Sequence, residues 1–107
     1  MKQMTATELQ DYLATGVSAV KIDVREAHEL QNGMIEGAQH IPMQTIPEQI
    51  LNIEQHKNDP IVLICRSGMR SDQVGQYLEQ SGFTDVINLV GGMNAWAKDI
   101  DTTMNVY

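Results

Sequence analysis

Ile61-Val62-Leu63-Ile64-Cys65-Arg66-Ser67-Gly68-Met69-Arg70-Ser71 is the stretch on which the fold turns. Its first four residues are apolar without a break, which predicts a strand covered on both faces near the centre of a sheet. Asn58-Asp59-Pro60 before it is a turn. The segment from Cys65 onward is polar and contains a glycine. It runs into residues 71–80, where Val74, Tyr77 and Leu78 are spaced as the inward face of a helix ended by Ser81-Gly82. Strand, short loop and helix in that order put Cys65 at the carboxyl end of a central strand, where open parallel sheets bind their ligands.

The same alternation continues outward in both directions. Thr5 and Glu8 form a capping box that opens a helix carrying Leu9, Tyr12 and Leu13 and stopping at Gly16. Residues 17–24 read as a buried strand, residues 25–31 as a short helix closed by Asn32-Gly33, and His40-Ile41 as a short strand halted by Pro42. Residues 46–56 have helical spacing at Ile46, Ile50 and Ile53, with Pro47 in the first turn. Residues 86–90 form another buried strand, broken by Gly91-Gly92, and residues 93–98 a last short helix around Trp96. Strands alternating with helices predict an α/β fold with a parallel sheet and helices on both faces.

Composition narrows the chemistry. At 107 residues and 42% hydrophobic, residues 1–107 read as one globular domain. No segment approaches the ~20 apolar residues of a membrane span. The start, Met1-Lys2-Gln3-Met4-Thr5-Ala6-Thr7-Glu8, has no apolar core of a secretory signal, so the expected location is cytoplasmic. The formal net charge of −7 disfavours nucleic acid and anionic membranes as partners. An anionic substrate therefore needs a local positive site. Two of the seven basic residues, Arg66 and Arg70, stand beside the only cysteine. One cysteine excludes an internal disulfide, and His28, His40 and His56 lack metal-ligand spacing, so neither a metal nor another cofactor is expected.

The loop from Cys65 to Ser71 is where chemistry is expected. A loop curling over a helix N-terminus gathers backbone N–H groups into an anion-binding bowl, and Gly68 permits the tight curl. A cysteine facing such a bowl is held as thiolate, the nucleophilic form. The bowl equally suits the anionic terminal sulfur of a persulfide. Arg70 is expected at the start of the helix, supporting the loop or the substrate anion. Arg66 is expected on the rim, attracting a small anionic sulfur donor such as thiosulfate. Ser67 and Ser71 are hydrogen-bond donors to the anion or helix caps, and Met69 shapes the rim.

With these residues placed, the sequence resembles the rhodanese family, in particular its stand-alone single-domain members. Three signatures carry the resemblance in order. The first is Asp23-Val24-Arg25-Glu26 with Glu29, then Gly33-Met34-Ile35-Glu36-Gly37-Ala38 and Ile41-Pro42. The second is Cys65-Arg66-Ser67-Gly68-Met69-Arg70-Ser71, and the third is Leu89-Val90-Gly91-Gly92 with Trp96. The resemblance implies a five-stranded, mainly parallel sheet flanked by helices on both faces. It implies a sulfurtransferase of the thiosulfate:cyanide type, in which Cys65 takes a sulfane sulfur as a persulfide and passes it to a thiophilic acceptor. The loop N–H groups from Arg66 to Arg70 would hold that sulfur. Asp23 and Arg25 are implied to be a buried structural pair tying the early loop to the active-site region, and Glu26 and Glu29 are helix-start charges. Met34 stands where the family commonly has His, at a position read as structural.

Two other classes compete. Phosphatases related to this fold use a similar bowl but a longer Cys-x5-Arg loop. Here the arginine arrives at Cys-x4-Arg, and Ser71 offers no alternative. Arsenate reductase chemistry lacks a second cysteine to resolve an oxidised one. The other class is a non-catalytic binding module or a sulfur carrier loaded by a protein donor and discharged to a thiol acceptor. The intact cysteine loop speaks against an inert module.

Overall fold

The computed structural model describes residues 1–107. It holds five strands, β1 (Lys2–Met4), β2 (Val20–Asp23), β3 (Gln39–His40), β4 (Ile61–Ile64) and β5 (Val86–Leu89). Four α-helices accompany them, α1 (Ala6–Ala14), α2 (Ile46–Ile53), α3 (Met69–Gln80) and α4 (Gly92–Asp99). The sheet order is β1-β5-β4-β2-β3, and every neighbouring pair is parallel, where the sequence implied mainly parallel. β4 lies in the middle, and all four of its residues are buried.

Alternation along β4 divides the core between the two faces. Ile61, Leu63 and Cys65 join Ile22, Val24, Val74, Leu78 and Val86 on the face covered by α2 and α3. Val62 and Ile64 join Leu9, Ile87, Leu89, Met93 and Trp96 on the face covered by α1 and α4. Cys65 thus continues the period of the strand and lands on the α3 side, 1% exposed.

Several elements differ from their sequence reading. β1 was not anticipated. It has one apolar residue, Met4, and exists because Lys2–Met4 pairs with Ile87–Leu89 at the sheet edge. β2 starts at Val20 rather than Val17, since its ladder to β4 begins with the Val20 N–H on the Pro60 carbonyl (2.9 Å) and Pro60 has no N–H to extend it. The short helix after β2 is a 3-10 helix at Ala27–Asn32, and residues 54–56 also tighten into 3-10 geometry after α2. β5 stops at Leu89, and Val90 is exposed. α3 begins two residues before Ser71, and its Tyr77 faces outward at 38% exposure. The capping box of α1 is formed, with the Glu8 N–H on Thr5 Oγ1 (3.2 Å) and the Thr5 N–H on Glu8 Oε1 (2.9 Å). No helix is long and apolar enough to cross a membrane.

Gly92 brings α4 against the back of the Cys65 loop. Its φ is +56°, and a Cβ there would overlap the carbonyl of Cys65 and the backbone of Arg66. The bare backbone lets the first turn of α4 approach, so that Met93 N–H donates to Cys65 O (2.8 Å) and Asn94 N–H to Arg66 O (3.1 Å). Gly92→Ala is expected to lower unfolding free energy by roughly 2–4 kcal/mol, through strain at positive φ and displacement of α4. Urea denaturation measures this, and a loss below about 0.5 kcal/mol would contradict the close approach.

Candidate functional site

Cys65 leaves β4 with its side chain turned into the start of α3. The loop closes around the sulfur in three residues. Gly68, at φ +99°, directs its N–H onto Cys65 Sγ at 3.0 Å. A Cβ at Gly68 would press on Leu89 O and Gly91 N at 3.1 and 3.2 Å, so a side chain there would be crowded by backbone as well as strained by the positive φ. Ser71 Oγ lies 3.2 Å from Sγ. Burial pushes the Cys65 thiol upward, but its contacts with Ser71 and with the backbone N–H groups of Gly68 and Ser67 outweigh it, and the net direction is below the ordinary value of 9.0. A buried sulfur faced by backbone N–H groups is the setting in which an anion is stabilised and a thiol is drawn toward its nucleophilic form.

Of the expected loop donors, Ser67, Gly68 and Ser71 act on the sulfur. Arg66 and Met69 are both exposed, with Met69 at 74%. Arg66 lies on the rim with its guanidinium 5.0 Å from the centre of the Tyr107 ring, a cation–π contact. Arg70 is the second residue of α3, and Glu29 takes two of its N–H groups at 2.7 and 2.8 Å. Its charge still reaches Cys65 electrostatically, but its hydrogen bonds serve a structural partner.

Glu29 is therefore more than a helix-start charge. It is buried, accepts from Arg70 and from Tyr107 Oη (2.9 Å), and caps its own 3-10 helix by accepting the Glu26 N–H (2.8 Å). Arg70, opposed by burial and aided by Glu26 and Tyr107, holds the Glu29 carboxyl down at about 2 from 4.5. Asp23 and Arg25 are both 0% exposed. Arg25 Nε and Nη2 donate to the Asp23 carboxylate at 3.0 and 2.8 Å, and Arg25 also donates to Gly33 O (2.7 Å) and Tyr107 Oη (3.1 Å). Asp23, Arg25, Glu29, Arg70 and Tyr107 make one network that ties the residues after β2 to the start of α3.

Tyr107 and Asn88 were not singled out in the sequence. Tyr107 is 78 residues from Glu29, and no local spacing points to it. Asn88 did carry a signal, since it is the one amide in the otherwise apolar β5. It is 3% exposed and bonds Ser71. Met34 lines a separate cleft with Trp96, Ile100 and Met104. A cleft of about 440 Å³ borders the Cys65 loop on the outside, lined by Gln3, Ser67, Met69, Asp72, Asn88 and Val90 among others; Cys65 itself is not part of its wall.

A five-stranded parallel sheet with a cysteine-centred anion bowl at the end of its middle strand defines a class, and comparison with known proteins agrees with it. The model of the rhodanese-like domain matches residues 5–99, and the chain belongs to that family. YtwF of Bacillus subtilis (strain 168), whose name assigns it provisionally to the sulfurtransferases, is 42% identical over 90% of this chain and 90% of its own. A protein of Allochromatium vinosum named sulfurtransferase is 36% identical over 92% of this chain and 90% of its own. The crystal structure of a rhodanese-like domain protein from Staphylococcus aureus superposes with a TM-score of 0.81 at 36% identity, covering 100% of this chain and 99% of that one.

The Glu29 network predicts an acid limb in stability. A carboxylate held below its unfolded value stabilises the fold fully above about 4.5 and loses that contribution as pH falls toward about 2. Glu29→Gln is expected to cost about 1–3 kcal/mol at neutral pH and to flatten stability between those two pH values. Denaturation midpoints across that range measure it; an acid limb as steep as in the parent would contradict the assignment.

Proposed function

We propose that the protein is a sulfurtransferase that works through a Cys65 persulfide. The observation that carries this is the sulfur's setting, fully buried yet faced by loop N–H groups that favour its anion. The thiolate attacks the outer sulfur of a sulfane donor. A bond forms between Cys65 Sγ and that sulfur, and the bond to the rest of the donor breaks, the leaving group departing with the electron pair as sulfite from thiosulfate or as thiolate from a protein persulfide. The terminal sulfur now bears the charge, and the Ser67 and Gly68 N–H groups face it. Arg66, exposed on the rim, attracts the anionic donor, and Met69 lines the approach. An acceptor such as cyanide or a thiol then attacks the terminal sulfur and restores the Cys65 thiolate. Splitting the transfer lets donor and acceptor use the bowl in turn. No second cysteine exists to collapse the persulfide internally, so the sulfur leaves to an external acceptor. A reducing cytoplasm suits this chemistry by keeping the resting thiol free.

The phosphatase reading is disfavoured by the same geometry. A phosphoryl group needs the loop arginine as a bidentate clamp, and Arg70 is already clamped by Glu29. The loop encloses one sulfur closely, and Cys65 is 1% exposed, which suits a single added atom better than a tetrahedral oxyanion.

Thiosulfate:cyanide turnover tests the proposal. Cys65→Ser and Cys65→Ala are expected to abolish it, a loss of at least roughly a thousandfold, with the fold retained by circular dichroism. Turnover that survives either substitution, or phosphatase activity exceeding sulfur transfer in the parent protein, would overturn the reading.

A further inference from the structure

Asn88 sits on β5 behind the loop, and its hydrogen bonds have a fixed direction. Its Nδ2 donates to Gly68 O (3.1 Å) and to Gln3 Oε1 (2.8 Å). A carbonyl accepts only, so the amide nitrogen must face Gly68 and the amide oxygen must face Ser71. Gln3 is oriented in the same way, because its Nε2 donates to the Asp72 carboxylate at 2.9 Å. Asp72 is held in turn by Gln76 Nε2 at 2.7 Å. A chain of bonds thus runs from Ser71 to Asn88 to Gln3 to Asp72, with every donor pointing outward toward the carboxylate.

This direction matters at the sulfur. The Ser71 hydroxyl has one proton, and it donates it to Asn88 Oδ1 at 2.5 Å. Toward Cys65 Sγ, 3.2 Å away, Ser71 then has only lone pairs to offer. A neutral thiol suits this, since its S–H donates to Ser71 Oγ. A bare thiolate does not. It calls for the Ser71 proton, and granting it leaves Asn88 Oδ1 buried without a donor, which is costly. In the persulfide the inner sulfur is uncharged and the charge lies one atom further out, under the loop N–H groups. The Ser71 proton then stays with Asn88.

We propose that Asn88 is a positioning residue that keeps the Ser71 proton away from Cys65 Sγ and so favours the states with a neutral inner sulfur, the resting thiol and the sulfur-loaded persulfide, over the empty thiolate. Asn88 acts through Ser71, and none of its own hydrogen bonds reaches the sulfur. The effect biases the protein toward holding sulfur once it has received it. The inference rests on the persulfide reading only for that last consequence; its effect on the thiol stands without it.

The test is a thiol titration by ultraviolet thiolate absorbance, with Cys65→Ser as the blank, in the parent, Asn88→Leu, Ser71→Ala and the double variant. The charged groups on the elements packed about the loop, Arg66, Arg70 with Glu29 and Asp72 on α3, and Arg25 with Asp23 at the end of β2, are the same in all four. Asn88→Leu frees the Ser71 proton for the sulfur. Its titration midpoint is expected to fall by about one pH unit, a tenfold gain in the acid constant, and to show no such fall when Ser71 is already alanine. Removal of a merely structural brace would loosen the loop and move the midpoint upward. A rise, no change, or an equal fall without the Ser71 hydroxyl would overturn the proposal. In the parent protein, which needs no variant to fold, the side-chain amide resonances of Asn88 must shift with the same midpoint as the thiolate. Resonances that stay fixed through the titration also overturn it. At a fixed thiosulfate to sulfite ratio and a pH above both titration midpoints, where the empty site is thiolate, Asn88→Leu is further expected to load about tenfold less readily, and well below both midpoints, where it is thiol, equally readily. A parent that takes up no sulfur, with the titrations as expected, would sink the persulfide reading and leave the Asn88 assignment standing.

Discussion

A nucleophilic Cys65 would have to be buried and negatively charged at once, and the loop that follows it answers that conflict. Burial alone would keep the thiol protonated and inert. The strand that buries it, β4, is apolar along its length and offers no polar help. Help comes from the turn into α3, where Gly68 at positive φ brings an N–H to within 3.0 Å of the sulfur and the Ser67 and Ser71 amides add to it. The rest of the structure keeps that turn in place.

It is held from two sides. On the back, α4 docks its first N–H groups onto the carbonyls of Cys65 and Arg66, an approach open only because Gly92 has no side chain. On the other side, Glu29 grips Arg70 and ties the first turn of α3 to the end of β2 and the residues beyond it, where Asp23 and Arg25 are locked together in the interior. Buried ion pairs are weak sources of net stability, but they fix geometry. Here the geometry fixed is the placement of Arg70, and with it the first turn of α3, against Glu29. Arg70 thus reaches Cys65 only electrostatically while its hydrogen bonds hold the loop in place, and Arg66 stays exposed on the rim in contact with the Tyr107 ring.

The central part of this arrangement was legible in the sequence. Ile61–Ile64 could be read as a doubly covered strand from its unbroken apolar run, the loop from its glycine and its position before an amphipathic helix, and the first helix from the Thr5–Glu8 capping box. The features that escaped reading depend on contacts across long separations. β1 is too short and polar to be recognised before β5 is there to pair with it. Glu29 looked like an ordinary helix-start acid because Arg70, which changes its role, lies 41 residues away. Tyr107 joins Arg25 across 82 residues. Asn88 was the exception. A lone amide in a buried strand has to find partners, and asking which ones would have led to Ser71 and the sulfur.

Whether Cys65 accepts and holds one sulfur atom is tested most directly by mass spectrometry of the intact protein and its peptides after incubation with thiosulfate or polysulfide. The expected result is a gain of one sulfur, confined to the peptide containing Cys65 and removed by cyanide. No gain, or a gain elsewhere with Cys65 unmodified, would be incompatible with a persulfide carried at this cysteine.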